Sequence, residues 1–303
     1  MSDPSRTAPE RPFGRVLTAM VTPFRADGAL DPDAAQKLAA HLVDHGHDGL
    51  VVSGTTGESP TTSDEEKVVL LHAVLEAVGD RACVVAGVGT NDTRHTIEGA
   101  RRAEAAGAHG LLVVTPYYNK PPQAGLLAHF TAVADATALP VMLYDIPGRA
   151  AVTVTRDTML RAAEHERIVA VKDATGDLAA GAEVMATTGL AYYSGDDALN
   201  LAWLAHGAAG VVSVVGHVAG DRYSAMVAAV DAGDLAEARR LYLSLVPAVN
   251  AIMSPRSQGA IMAKAALHDA GLLNTRAVRL PLVQAGDDEV RDLATALAEA
   301  GLR

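Results

Sequence analysis

Ile168-Val169-Ala170-Val171-Lys172-Asp173-Ala174-Thr175-Gly176 joins four apolar, mostly β-branched residues to a lysine and then to turn residues. The four read as a short buried strand with Lys172 at its C-terminal end. A lysine there loses hydration, which disfavours the charged form and pushes the amine towards neutrality. Neutral amine is the form that attacks a carbonyl carbon to make an imine. The plainer alternative is a lysine that snorkels from the strand end into solvent. The chain has 20 arginines but five lysines, and only Lys172 closes an apolar strand. Lys37, Lys67 and Lys264 fall in helix-like patterns, and Lys120 lies in a proline-rich loop.

Outward from this strand the same unit recurs. Apolar runs at Val16–Val21, Leu50–Val52, Cys83–Ala86, Leu111–Val114, Val141–Tyr144, Ala191–Tyr193 and Val211–Ser213 bring the strands to eight. Helical patterns separate them, several with start signals. Asp31-Pro32 reads as an N-cap followed by proline at the first helical position, and Ser63 with Glu66 as a capping box. Gly46-His47-Asp48-Gly49, Gly107-Ala108-His109-Gly110 and Gly207-Ala208-Ala209-Gly210 each stand between a helix and the next strand. The first glycine of each suits a left-handed helix end, and the second starts a strand. Eight apolar strands alternating with helices predict an α/β fold, a (β/α)8 TIM barrel. A doubly wound open sheet is the alternative, but no G-x-G-x-x-G loop follows the first strand, and Gly87-Val88-Gly89 is too short a match. Amphipathic segments near 218–232, 234–253, 257–270 and 287–300 follow. The first is the eighth barrel helix and the rest a small C-terminal helical appendage. The expected division is a disordered tail over 1–13, a catalytic barrel over 14–232 and a helical domain over 233–303.

Composition narrows the function. A formal net charge of -11 argues against nucleic acid, which needs a basic face. Cys83 is the only cysteine, so a disulfide within the chain is excluded, and its apolar setting reads as a core thiol of a reducing compartment. Met1 to Gly14 lacks the apolar core of a signal peptide, and no apolar run approaches the ~18 residues of a membrane span. A cytoplasmic protein is expected. The histidines form no metal-ligand cluster: His41 and His45 stand on an outer helix and only His217 lies just past a strand end.

Polar residues collect at the strand ends, where barrels of this kind keep their chemistry. They are Thr22, the Ser53-Gly54-Thr55-Thr56-Gly57-Glu58 turn, Tyr117-Tyr118, Tyr144 with Arg149, Lys172, Ser194-Gly195-Asp196-Asp197 and Ser213. Each has a structural alternative. Thr55 and Thr56 can serve as turn caps, Tyr144 as a rim tyrosine, Arg149 as half of a surface ion pair, and Glu58 as a structural group. Asp196-Asp197 read as helix N-terminal residues favoured by the helix dipole. Together, a strand-end lysine, a strand-end tyrosine, a Gly-Thr-Thr-Gly turn and an arginine point to carbonyl chemistry on an acidic substrate. Lysine makes the imine, tyrosine relays protons, and the turn's amides and hydroxyls hold a small carboxylate.

Gly54-Thr55-Thr56-Gly57-Glu58, Tyr144-x-x-Pro147-x-Arg149 and Val171-Lys172-Asp173-Ala174-Thr175-Gly176 resemble signatures of the dihydrodipicolinate synthase family. Pro116-Tyr117-Tyr118-Asn119, Ser194-Gly195-Asp196-Asp197 and Gly210-Val211-Val212-Ser213-Val214 match in order, so the resemblance spans nearly the whole chain. It implies a pyruvate-dependent class I aldolase, usually a homotetramer, that condenses pyruvate with L-aspartate 4-semialdehyde on the way to diaminopimelate and lysine. The resemblance makes Lys172 the imine-forming residue, with no cofactor beyond that covalent imine and no metal. Tyr144, Thr55 and Tyr118 become the proton relay, Tyr118 reaching across a dimer interface. Thr56 holds the pyruvate carboxylate, Arg149 meets the aldehyde's carboxylate, and Gly195 and Val212 line the pocket. The superfamily also contains N-acetylneuraminate lyase and aldolases of 2-keto-3-deoxy sugar acids, which form the alternative; Thr55 and Arg149 favour the synthase. A homologue that keeps the barrel as a binding or regulatory protein is the rival of another class, and Lys172, Tyr144 and Thr55 together argue against it. Asp145, where many synthases carry Asn, and Gly216-His217 are departures. Ser59, Asn91 and Tyr117 match positions of the family's lysine-feedback site, whereas Pro60, Asp64, Lys67 and His95 do not. Insensitivity to lysine is therefore expected.

Overall fold

The computed structural model describes residues 10–255 and 257–302. Eight parallel strands close in sequence order: β1 (Val16–Ala19), β2 (Gly49–Val52), β3 (Cys83–Gly87), β4 (Gly110–Val114), β5 (Val141–Asp145), β6 (Ile168–Asp173), β7 (Ala191–Ser194) and β8 (Gly210–Ser213), with β8 pairing back to β1. The expected (β/α)8 barrel is what the chain forms. Helices α1 (Pro32–Asp44), α2 (Asp64–Val78), α3 (Thr93–Ala105), α4 (Gln123–Asp135), α5 (Pro147–Ala150), α6 (Arg156–Ala162), α7 (Leu178–Thr187), α8 (Asn200–Ala205) and α9 (Gly216–Asp231) run between and after the strands. Beyond them lie α10 (Leu235–Ile252), α11 (Gly259–Asp269) and α12 (Asp287–Glu299). The start signals act as read. Asp31 accepts from Ala34 N–H with Pro32 at the first helical position, and Ser63 and Glu66 close a reciprocal capping box on α2.

The glycine joints show why the barrel floor is tight. Gly46, Gly107 and Gly207 all have φ near +90°, which turns each helix end back towards the sheet. Their partners Gly49, Gly110 and Gly210 open β2, β4 and β8 where a side chain has no room. A Cβ on Gly110 would enter the Phe13 ring, and one on Gly210 the Arg15 carbonyl. Phe13 is fully buried there, and Arg11 pairs with Asp231 at 2.6 Å. Most of the tail expected over 1–13 lies outside the described residues, and its last residues belong to this floor.

Side chains alternate between two apolar layers. Leu17, Val51, Val85, Leu112, Met142, Tyr144 and Val212 fill the barrel, whereas Val16, Leu50, Val84, Leu111, Leu143 and Val211 pack outward on the helices. In β6 this alternation is interrupted. The pairing with β5 steps from Val141↔Ile168 to Met142↔Ala170, skipping Val169. Ile168 packs with the outer layer and Ala170 with the inner one, so the skip reverses which face the following residues take. Lys172 consequently sits on the barrel side and Asp173 on the helix side. No helix among the described residues is long and apolar enough to cross a membrane.

Candidate active site

Tyr144 and Lys172 are register partners at the C-terminal ends of β5 and β6, each 4 % exposed. The Lys172 amine lies over the Tyr144 ring, 4.2 Å from its centroid. Burial lowers the Lys172 pKa to about 8, opposed by the negative charge of Asp197 and assisted by the positive charge of Arg149. The snorkelling alternative does not describe this side chain. Burial also pushes the Tyr144 phenol up to about 12, partly offset by Arg149 and by a hydrogen bond from Thr55. A neutral phenol next to an amine that gives up its proton far more readily than a free lysine can carry protons without holding a permanent charge.

Gly195 leaves space for the lysine. A Cβ at that position would stand 3.0 Å from both Cγ and Cε of Lys172. Val212 is 1 % exposed in the inner layer. A cavity of about 400 Å³ opens over this end of the barrel and is lined by Thr55, Tyr144, Arg149, Tyr117 and Tyr118. Its size suits small organic acids. Arg149 sits on the short helix α5, exposed, and forms no ion pair with a carboxylate among the described residues. It is not half of a surface pair. Tyr118 is 87 % exposed and has φ +72°, a left-handed conformation that a bulky side chain disfavours. Thr56 is buried and does not line the cavity.

The turn carrying Thr55 and Thr56 is fixed from several sides. Glu58 N–H donates to the Thr55 carbonyl at 3.1 Å, and Thr22 Oγ1 donates to the Gly57 carbonyl at 2.6 Å. A Cβ on Gly57 would press on Met20 O and Ser53 N, both at 3.1 Å, so a side chain there would require the surrounding backbone to give way.

Several charged and polar groups near this end of the barrel are held in the interior. Asp196 caps the turn at Asp197–Leu199, accepting from Ala198 N–H. Asp197 is the first residue of that helical turn, as expected, but it is buried: it is 2 % exposed and accepts from Ser213 Oγ, Tyr223 OH at 2.9 Å, Asn200 Nδ2 at 3.1 Å and the amides of Val214 and Val215. It ties the end of β7 to the end of β8 and supplies a negative charge that opposes the lowering of the Lys172 pKa. Lys264, on a helix, is fully buried against Glu58. The signal for it is present in the sequence: Ile261-Met262-Ala263-Lys264-Ala265-Ala266-Leu267 is apolar all round but for this one charge. Asp145 is also buried, and burial raises its pKa to about 7. His217 is held as a neutral ring, donating to Val214 O at 2.7 Å and accepting from Val21 N–H at 3.0 Å. Burial lowers its pKa to about 4, so it is a structural link between β8 and β1.

Known proteins are similar to this chain along nearly its whole length. The model of the Dihydrodipicolinate synthetase family matches residues 12–300. A 4-hydroxy-tetrahydrodipicolinate synthase from Kineococcus radiotolerans is 67% identical over 301 residues, 99% of this chain and 97% of that one. Among solved structures, dihydrodipicolinate synthase from Cyanidioschyzon merolae with lysine bound superposes with a TM-score of 0.94 at 41% identity, covering 97% of this chain and 100% of that one. The chloride-inhibited enzyme from Acinetobacter baumannii complexed with pyruvate gives a TM-score of 0.90 at 37% identity, covering 96% and 99%. With a family match of that extent and two-thirds identity to a relative, the chain belongs to the dihydrodipicolinate synthetase family.

Proposed function

We propose that the chain is a lyase, a 4-hydroxy-tetrahydrodipicolinate synthase that condenses pyruvate with L-aspartate 4-semialdehyde through an imine on Lys172. The observation that carries this reading is the buried Lys172 amine, with its pKa near 8, 4.2 Å from the Tyr144 ring centroid. The neutral amine attacks the keto carbon of pyruvate, and the carbinolamine loses water to give the imine. Loss of a methyl proton from the imine gives the enamine, whose carbon attacks the aldehyde of the second substrate. The amino group of that substrate then displaces Lys172 from the imine carbon, closing the ring and regenerating the lysine. Tyr144 and Thr55 carry the protons, and Tyr118 joins them from a neighbouring subunit. Its exposure and its strained backbone suit a side chain covered by a partner. Thr56 and the turn's amides hold the pyruvate carboxylate, Arg149 the carboxylate of the aldehyde, and Gly195 and Val212 shape the wall around the imine. No external cofactor enters these steps, and the working form is a homotetramer in the cytoplasm.

The alternative, an aldolase of 2-keto-3-deoxy sugar acids, is less well supported. Thr55 and Tyr144 line one cavity, and Arg149 at its mouth, exposed and without an ion pair among the described residues, matches a short acidic aldehyde better than a polyhydroxylated chain. Steady-state turnover of pyruvate with L-aspartate 4-semialdehyde, set beside cleavage of 2-keto-3-deoxy sugar acids, tests the choice. Turnover of only the sugar acids would overturn it.

The enzyme is also proposed to ignore lysine at millimolar concentration. Asp64 is already engaged by His95 at 2.9 Å, Arg102 at 3.6 Å and Lys67 at 3.7 Å. This cationic surround is unfavourable for a cationic effector. An initial-rate titration at subsaturating pyruvate checks it, and half-inhibition below about one millimolar, an affinity of only ~4 kcal/mol, would refute it.

A further inference from the structure

Glu58 and Lys264 form an ion pair in the interior, Nζ to Oε1 at 2.5 Å, with each side chain 1% exposed. Neither lines the substrate cavity. Lys264 also donates to Ala277 O at 2.8 Å, and the second oxygen of Glu58 accepts from Arg279 N–H at 2.9 Å. Lys264 Nζ and the Arg279 guanidinium both lie over the Phe24 ring, at 4.2 and 4.3 Å from its centroid. Arg279 reaches on to Gly28 O, Thr61 O and the carboxylate of Glu66. The loop after β1, the turn after β2 and the chain following α11 therefore meet at one charged knot.

Apolar residues of similar volume would hold such a junction together at least as well, because taking two charges out of water is costly. Burial pulls the Lys264 amine down to about 8 even with Glu58 beside it. What the pair offers beyond packing is orientation. Glu58 has φ +55° and ψ +37°, a left-handed conformation that a residue with a Cβ disfavours. In that conformation its N–H closes on the Thr55 carbonyl, while its own carbonyl accepts from Thr61 N–H and Oγ1. Thr55, three residues back, lines the cavity together with Tyr144.

We propose that Glu58 and Lys264 are positioning residues for the reaction: the pair locks the left-handed end of the Gly54–Gly57 turn and so sets where Thr55 meets Tyr144. Through it the C-terminal helices act on chemistry they do not touch. The proposal rests on the reading of Thr55 and Tyr144 as the proton relay.

The test is a double-mutant cycle in the full-length protein. Glu58→Gln/Lys264→Met is placed in the native and in the Thr55→Val background, with melting, kcat, both KM values and pyruvate trapping by borohydride measured for each. In the native background the paired change keeps the melting temperature within a few degrees and lowers kcat on the order of 10–100-fold, since a misplacement of ~1 Å can cost about 10². The KM of the aldehyde moves less than about threefold, because Arg149 is untouched. In the Thr55→Val background the same change lowers kcat by less than about threefold more, since the group it positions is gone. An unchanged kcat in the native background, or the same loss in both backgrounds, would overturn the proposal. Should the double variant not fold, Glu58→Gln alone, which keeps the shape of the side chain, carries the same cycle. Absence of trapping in the unaltered protein would overturn the reading of the site, and the proposal with it.

Discussion

Asp145→Asn removes a buried ionisable group without changing its shape, and its effect should depend on pH. Asp145 is 2 % exposed; its Oδ2 accepts from Val154 N–H at 3.0 Å, while Oδ1 meets no donor among the described residues. Burial raises its pKa from 3.8 to about 7, the Val154 amide pulls the other way, and the charge of Asp173 across the β5–β6 pairing adds to the rise. The folded chain therefore keeps this proton up to about pH 7, whereas the unfolded chain releases it near 3.8. Stability from this group is fully present below pH 3.8 and declines as the pH rises towards 7. About three pH units at ~1.4 kcal/mol each set an upper limit of about 4 kcal/mol on the loss. Asn carries no such penalty. Asp145→Asn should thus raise the melting temperature at pH 8, on the order of 5 °C, and leave it nearly unchanged at pH 4. Differential scanning calorimetry across that range is the assay. The same shift at both pH values, or destabilisation at pH 8, would refute the reasoning, because either result means the native carboxylate is ionised and satisfied.

Tyr144→Phe should lower kcat by about 10²–10⁴-fold, the usual worth of positioned acid–base catalysis, with pyruvate KM changed far less. Arg149→Ala should act on the aldehyde, raising its KM by on the order of 10–100-fold through loss of a charge-assisted partner, while pyruvate trapping continues at the native rate. Gly195→Ala places a methyl 3.0 Å from the Lys172 stem, and imine formation followed by rapid-quench trapping should slow by at least about tenfold.

What the sequence made legible was local. Four apolar residues before Lys172, the repeated glycine joints and the Ser63–Glu66 box are contiguous signals, and they led to the strands, the helix ends and the barrel order. The direction of Lys172 was not of this kind. Counting alternation from the outward-facing Ile168 would place Lys172 outside the barrel, and only the skip at Val169 in the pairing with β5 turns it inward. The burial of Asp197 was not legible because its partners Ser213 and Tyr223 lie 16 and 26 residues away and are brought to it by closure of β7 on β8. Helix α5, which carries Arg149, spans only Pro147–Ala150 and is too short to leave a periodic pattern. Glu58 was left open as a structural group; its partner Lys264 lies 206 residues on, so the pairing appears only when the C-terminal helices pack against the turn.

The central claim is that the Lys172 amine makes the imine with pyruvate. Peptide mass mapping after incubation with pyruvate and reduction by borohydride tests it most directly, because five lysines compete for the label. The expected result is one reduced pyruvyl adduct per chain, on Lys172, absent from Lys172→Ala at an unchanged melting temperature. An adduct on buried Lys264 or any other lysine, or equal labelling of the Lys172→Ala variant, would contradict the account.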